Sequence, residues 1–207
     1  SATLLNNAVF GDLYDVGWLG TAGSVADPPT SAQLGDLDSA TDPGSANIAT
    51  TANTQYFSSP PIIGSKGILD AISAATGVRP TAITCWFNCR FVATTDGADT
   101  TGIGIGNDAD AVLAGAGRGY FLTVGATNFE IWNGTAAADT GVAVDTSSHL
   151  FKIEIDVTAA TYRVLLDGTQ VVAATALATD IYPLMMQMYQ GATGGAVSAF
   201  AWGVNYD

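Results

Sequence analysis

Positively charged residues are scarce in this chain of 207 residues, which has six lysines and arginines against nineteen acidic residues. The six are spread along the sequence and form no cluster: Lys66, Arg79, Arg90, Arg118, Lys152 and Arg163. Because contacts to phosphate groups require clustered positive charge, the sequence argues against nucleic acid and against anionic membranes as partners. It also has no apolar run of about 20 residues, the length that a helix needs to cross a bilayer.

Residues that commonly carry catalysis are few as well. The chain has one histidine, His149, and two glutamates, Glu130 and Glu154. Retaining glycosidases need two carboxylates about 5 to 5.5 Å apart, and these glutamates lie on different predicted strands. His149 precedes a strand and is interpreted as a turn residue; no nucleophile elbow, phosphate-binding loop or zinc signature is present. The sequence therefore predicts a protein that is not an enzyme, with a glycoside hydrolase as the third-ranked alternative.

The chain contains only two cysteines, Cys85 and Cys89, in the segment TCWFNCRF. On a strand they share a face but lie about 13 Å apart, at roughly 3.3 Å per residue. A disulfide needs Cα atoms within about 7 Å, so the two should not pair. A metal site at this CxxxC spacing would lack a second pair of ligands. The sequence therefore predicts two buried free thiols.

What the chain does have is strand patterning. The segment ITCWFNCRF places Ile83, Cys85, Phe87, Cys89 and Phe91 on one face, and this period-two alternation is typical of a half-buried strand. The N-terminal 60 residues lack such regularity, and they predict an irregular arm before a sandwich domain over residues 61–207. Within GSKGILDAISAATG, apolar residues at helical spacing between Ser65 and Gly77 predict one short helix.

The segment KIEIDVTAATYRVLLDGTQVVAAT predicts a three-strand antiparallel meander. Asp167-Gly168 is a two-residue hairpin signal, which sets Leu166 opposite Thr169 and Val164 opposite Val171. Pairing across TAAT sets Val157 opposite Tyr162 and Ile155 opposite Val164. Both pairings bury the same apolar set, and on the outer face they place Asp156 opposite Arg163.

This meander carries a resemblance to a known superfamily. HLFKIEIDVTAATYRVLLDGTQVV resembles the central hairpins of laminin-G-like and concanavalin A-like jelly rolls, AITCWFNCRF resembles their earlier core strand, and AVSAFAWGVNYD their closing strand. The likeness extends over about residues 80–207 and implies an all-β, antiparallel jelly-roll sandwich. The superfamily includes lectins, carbohydrate-binding modules, glycosidases, adhesion domains and virion proteins, so the resemblance alone does not determine the function.

Two sets of residues are candidates for ligand binding. Sugar sites stack on aromatic rings, and the aromatic candidates are Trp86, Trp132, Trp202 and Tyr206. Loops rich in Asp and Asn supply the oxygen ligands that Ca²⁺ prefers, and the candidates in TTDGADTTG and GNDADA are Asp96, Asp99, Asn107, Asp108 and Asp110. Legume lectins and many laminin-G-like domains use loop carboxylates in this way. Apart from this candidate Ca²⁺ site, the sequence predicts no cofactor.

Two functional hypotheses follow. The first is a structural module on a virion or extracellular surface, such as a phage decoration protein, whose partners are copies of itself or another coat protein. It rests on the acidic composition, the irregular arm and the scarcity of catalytic residues. The alternative is a carbohydrate-binding module or lectin, with or without Ca²⁺, whose partner is a glycan.

Overall fold

The computed structural model describes residues 19–20, 46–48, 55–58, 73–91, 101–106, 119–133, 136–177, 185–190 and 197–207. Within these ranges the chain forms a helical turn at residues 73–76 and thirteen β-strands. The strands are β1 (Leu19–Gly20), β2 (Ala46–Ile48), β3 (Gln55–Ser58), β4 (Ala82–Phe91), β5 (Thr101–Gly106), β6 (Gly119–Val124), β7 (Asn128–Trp132), β8 (Ala137–Ala143), β9 (Ser148–Asp156), β10 (Thr161–Leu166), β11 (Thr169–Ala176), β12 (Met185–Gln190) and β13 (Val197–Tyr206).

The strands form two antiparallel sheets. The seven-stranded sheet has the order β1-β3-β12-β5-β6-β7-β8, and the six-stranded sheet has the order β11-β10-β9-β4-β13-β2. This confirms the predicted all-β jelly-roll sandwich. Three short strands come from the first 60 residues. β1 and β3 belong to the seven-stranded sheet, and β2 belongs to the six-stranded sheet. The domain boundary at residue 60 remains a prediction.

The core lies between the sheets and is built from alternate residues of each strand. In β4 the predicted face is confirmed, since all five of its apolar residues are buried and the intervening residues are partly exposed. Phe87 and Phe151 stack on neighbouring strands with ring centroids 5.9 Å apart. Tyr120 of the seven-stranded sheet stacks on Tyr162 of the six-stranded sheet at 3.7 Å. Aromatic contacts therefore stabilise the six-stranded sheet and join the two sheets.

The helical turn at residues 73–76 ends where the sequence predicted. Gly77 has a φ of +72°, and its N–H donates to the carbonyl of Ser73 at 2.9 Å. A glycine in the left-handed region after the last helical residue is a common way to end a helix. The predicted start at Ser65 lies outside the described residues. No helix in the described ranges is long and apolar enough to cross a bilayer.

The predicted meander is confirmed in its strands and its buried face, but its register differs. Asp167 and Gly168 form the hairpin turn, both with positive φ, and Leu166 lies opposite Thr169 as expected. Ile155, however, lies opposite Tyr162, and Ile153 opposite Val164. The predicted pairs Val157–Tyr162 and Ile155–Val164 are therefore wrong by two residues.

The loop between β9 and β10 explains this shift. It spans residues 157–160 instead of the TAAT segment. Asp156 accepts a hydrogen bond from the N–H of Ala159 at 2.7 Å, and Ala160 adopts a φ of +52°. Because the shift is even, Ile155 and Val164 are still buried, 2% and 0% exposed. On the outer face Arg163 lies opposite Glu154 and forms an ion pair with it, so the predicted partner Asp156 is wrong.

The β10–β11 pairing contains a second difference. Val164 lies opposite Val172, with register shifts on either side of this pair. These irregularities place extra residues in β11, as β-bulges do. The predicted Val164–Val171 pair is therefore wrong by one residue.

The two cysteines are free and buried, as predicted. Burial raises the pKa of both Cys85 and Cys89 to about 12, and the negative charge of Asp167 adds to the effect on Cys89. Because the thiolate is the reactive species, we expect neither thiol to react with a thiol reagent at pH 8 in the native protein. In denaturant both should react without prior reduction. Rapid labelling of the native protein would contradict this prediction.

Candidate functional site

The structure separates the four aromatic residues that the sequence proposed for sugar binding. Trp202 and Tyr206 are each 2% exposed and belong to the core, so their rings offer little surface to a ligand. Trp86 and Trp132 are partly exposed. They alternate with core residues of β4 and β7, which places Trp86 on the outer face of the six-stranded sheet and Trp132 on that of the seven-stranded sheet. No single site contains all four.

A β-bulge explains why Trp202 and Tyr206 face inward. The register between β13 and β4 shifts between Ala199 and Ala201. Before the shift Val197 and Ala199 are buried, and after it Trp202 and Tyr206 are. The extra residue reverses the alternation of the strand, and a uniform period-two reading of β13 does not reveal this.

Trp86 lies near the middle of the six-stranded sheet, with different neighbours on its two sides. Its cross-strand partner on β9 is Lys152, and its partner on β13 is Gly203. Gly203 contributes no side chain beside the indole ring. Its cross-strand neighbour is therefore a glycine on the β13 side and a lysine with its ammonium group on the β9 side.

A groove of about 470 Å³ lies on the same sheet, toward the end at which β9 finishes and β10 begins. Its polar lining residues are Thr84, Glu154, Asp156, Thr161, Arg163 and Asp207. Thr84 precedes Trp86 by two residues on the outer face of β4, which corresponds to roughly 7 Å along the strand. The groove and the partly exposed Trp86 thus lie on the same outer face of this sheet, called here the Trp86 face.

Charged groups on the Trp86 face are arranged in two parts. In the groove, the Arg163 guanidinium pairs with Glu154, whose side chain is 27% exposed, and Asp156 is engaged in the β9–β10 turn. Beyond the groove, Lys152 and Arg90 lie on the same outer face as Trp86. This face therefore carries three of the six basic residues in the chain. It offers hydroxyls, carboxylates and cations around one aromatic ring.

The described part of the chain contains neither a paired set of glutamates nor a cluster of metal ligands. Glu130 and Glu154 alternate with core residues of strands in different sheets, which places them on opposite outer faces. No group of three histidine, cysteine or acidic residues in the described ranges could hold a metal ion. The proposed calcium ligands, Asp96, Asp99, Asn107, Asp108 and Asp110, lie outside those ranges.

His149 differs from its interpretation as a turn residue. It is the second residue of β9 and is 6% exposed. Its Nδ1 lies 2.7 Å from Oδ2 of Asp167, and its Nε2 lies 3.0 Å from Oδ1 of Asp145. Burial lowers the pKa of His149, but the two carboxylates outweigh burial and raise it above its ordinary value. Hydrogen bonds from Ser147 and His149 lower the pKa of Asp145.

Comparison with known proteins identifies the fold. No family model matches the sequence, and no curated protein is similar to it in sequence. Among solved structures, the carbohydrate recognition domain of Emp47p aligns with a TM-score of 0.52 at 11% identity, over 97% of this chain and 98% of that one.

Two further structures are similar over shorter stretches. The botulinum neurotoxin serotype D binding domain has a TM-score of 0.47 and 8% identity, over 79% of this chain and 39% of that one. Alginate lyase AlgAT5 of Polysaccharide Lyase family 7 has a TM-score of 0.44 and 10% identity, over 61% and 59%. The chain has the concanavalin A-like jelly-roll fold.

Proposed function

We propose that this protein is a carbohydrate-binding module and that the Trp86 face is its binding site. The observation that carries the proposal is the partly exposed Trp86, which lies on the same sheet face as a polar groove and is paired with Gly203 on β13. Sugar rings stack on exposed aromatic faces because their C–H groups are apolar, while their hydroxyls bond to surrounding polar side chains. The fold supports the proposal, since a solved structure that matches over 97% of the chain is a carbohydrate recognition domain.

Each part of the Trp86 face has a role in this proposal. In this proposal the indole supplies the surface on which a sugar ring stacks. Glu154 and Arg163 hold each other in a defined geometry, so the carboxylate accepts and the guanidinium donates hydrogen bonds to sugar hydroxyls. Lys152 adds a donor beside the indole. Polar groups fixed in this way orient a ligand at a low entropic cost.

Replacing Trp86 with alanine should weaken binding of the preferred glycan at least tenfold, which corresponds to about 1.4 kcal/mol. The preferred glycan would first be identified on a glycan array, and its affinity then measured by calorimetry. Trp132→Ala is the matched control because it removes the same side chain from the other sheet, and we expect it to leave the affinity within about twofold. Equal losses in the two variants would contradict the assignment of the site, and the absence of any bound glycan would contradict the function.

The same array, run with Ca²⁺ and with a chelator, tests the calcium ligands proposed from the sequence. Binding that requires Ca²⁺ and is lost in Asp108→Asn would support a role for these loops, whereas binding that is equal in both buffers would argue against one. We place carbohydrate binding ahead of a structural role on a virion because a solved structure that matches along almost the whole chain is a carbohydrate recognition domain. That the protein is not an enzyme remains a prediction from the sequence.

A further inference from the structure

Both ring nitrogens of His149 face carboxylate oxygens at hydrogen-bond distance, 2.7 Å to Asp167 and 3.0 Å to Asp145. An ionised carboxylate only accepts hydrogen bonds, and a neutral imidazole has one N–H to donate. A neutral His149 would therefore turn an unprotonated nitrogen toward one of the two carboxylates. Only the doubly protonated imidazolium satisfies both contacts.

Within the described residues, no second cation contacts the His149 ring. The edge of the ring packs against Phe129 of β7, with centroids 4.9 Å apart. On β4 its cross-strand partner is Cys89, whose buried thiol is uncharged. The charged groups that face the ring are Asp145 and Asp167. Loss of the proton would change the local formal charge from −1 to −2, in a chain whose net charge is already −13.

The two carboxylates belong to different loops: Asp145 lies in the connection that crosses from one sheet to the other, and Asp167 in a hairpin turn. Asp145 lies in the β8–β9 loop, where it also accepts a hydrogen bond from the N–H of Ser147 at 2.6 Å. Asp167 is the first residue of the β10–β11 turn, and it accepts from the N–H of Leu150 at 2.8 Å. The backbone N–H of Asp167 donates to the carbonyl of Leu150 at 2.9 Å. His149 is thus the side chain through which the two loops are joined.

We infer that protonated His149 is a latch that holds the β8–β9 loop to the β10–β11 turn and releases them when it loses its proton. The contribution of the latch to stability is complete below about pH 6.5, the ordinary pKa of histidine. It is lost as the pH rises through the higher pKa of His149 in the folded protein. At the acid limit the latch persists until Asp145 is protonated, below the usual pKa of an aspartate.

The titration of His149 can be followed without ambiguity because it is the only histidine in the chain. Ring ¹⁵N shifts should show both nitrogens protonated at pH 6 and a midpoint above pH 6.5. Asp145→Asn and Asp167→Asn should each lower that midpoint. Asp156→Asn, which removes the same charge from a turn without a histidine, should leave it unchanged. A neutral ring at pH 6, or equal midpoints in the three variants, would overturn the inference.

Thermal unfolding tests whether the proton holds the turns. The difference in Tm between wild type and His149→Gln should shrink by roughly 2 to 4 °C between pH 6 and pH 9, since the wild type loses the latch over this range and the variant has none to lose. Measuring the difference cancels the effect of pH on the other acidic groups. If His149→Gln does not fold, exchange of the Leu150 amide in the wild type replaces it, with the Ile153 amide as reference. A Tm difference, or a relative exchange rate, that is independent of pH would refute the latch.

Discussion

Replacing Phe151 with alanine is expected to lower the free energy of unfolding by about 3 to 5 kcal/mol, the range for truncating a fully buried phenylalanine. Phe151 is 0% exposed, lies at the centre of β9 and stacks on Phe87 of β4. Its removal would leave a cavity between strands that are held on both sides, so the core cannot easily close around it. The loss should appear as a lower denaturant midpoint with an unchanged slope.

Leu165→Ala is the matched control for this prediction. Leu165 lies on the neighbouring strand β10, but it faces outward and is only partly buried. Its truncation should cost less than about 1 kcal/mol because little apolar area is lost and no cavity is formed. Similar losses in the two variants would show that the assignment of inner and outer faces is wrong.

A methyl group at Gly104 is expected to be nearly as damaging, at about 3 kcal/mol or more. A Cβ at this position would lie 2.9 Å from the Cα of Phe121 and still closer to the carbonyl oxygen of Tyr120. Both obstacles are backbone atoms of β6, and Gly104 and Phe121 are paired in the β5–β6 ladder. The added atom can be accommodated only if the two strands move apart.

Gly141→Ala separates this steric effect from a conformational one. Gly141 has a φ of +72°, but a Cβ there would meet nothing within 4 Å. Its substitution should therefore cost only about 1 kcal/mol, the strain of a left-handed alanine. Chemical denaturation of both variants gives the comparison, and a Gly104→Ala protein as stable as Gly141→Ala would refute the predicted clash.

Period-two alternation allowed the sequence to predict which face of a strand is buried, but not which residues lie opposite each other. In the meander the apolar face was right, although the β9–β10 register was displaced by two residues. A shift of the register by two residues leaves every side chain on the same face, so the alternation pattern cannot reveal it. The actual register depends on the turn at Asp156 and on the left-handed backbone conformation of Ala160. Alanine seldom adopts this conformation, so the sequence gives no indication of it.

In the candidate sites, too, the sequence indicates individual residues but not the partners that surround them. Trp86 stood out because it interrupts the apolar phase of β4, and it does lie on the outer face. The partners that define its surroundings, Lys152 and Gly203, come from strands more than 60 residues away in the sequence. The Asp145–His149 spacing was visible, but Asp167 is brought to the ring only by the pairing of β9 with β10. Such contacts require tertiary structure, which local patterns do not contain.

The central position of β4 has a consequence for the rate of folding. β4 pairs with β13, and the paired residues are more than 100 positions apart in the sequence, from Phe91–Val197 to Ile83–Tyr206. Pairings of this separation are slow because the loop must close before any contact forms. At roughly 5 to 20 residues per second of synthesis, β4 leaves the ribosome several seconds or more before β13 exists. During that interval the β4 edge that later pairs with β13 is open, and the two phenylalanines of β4 are not yet covered by the complete core. Aggregation therefore competes with folding most strongly on the nascent chain.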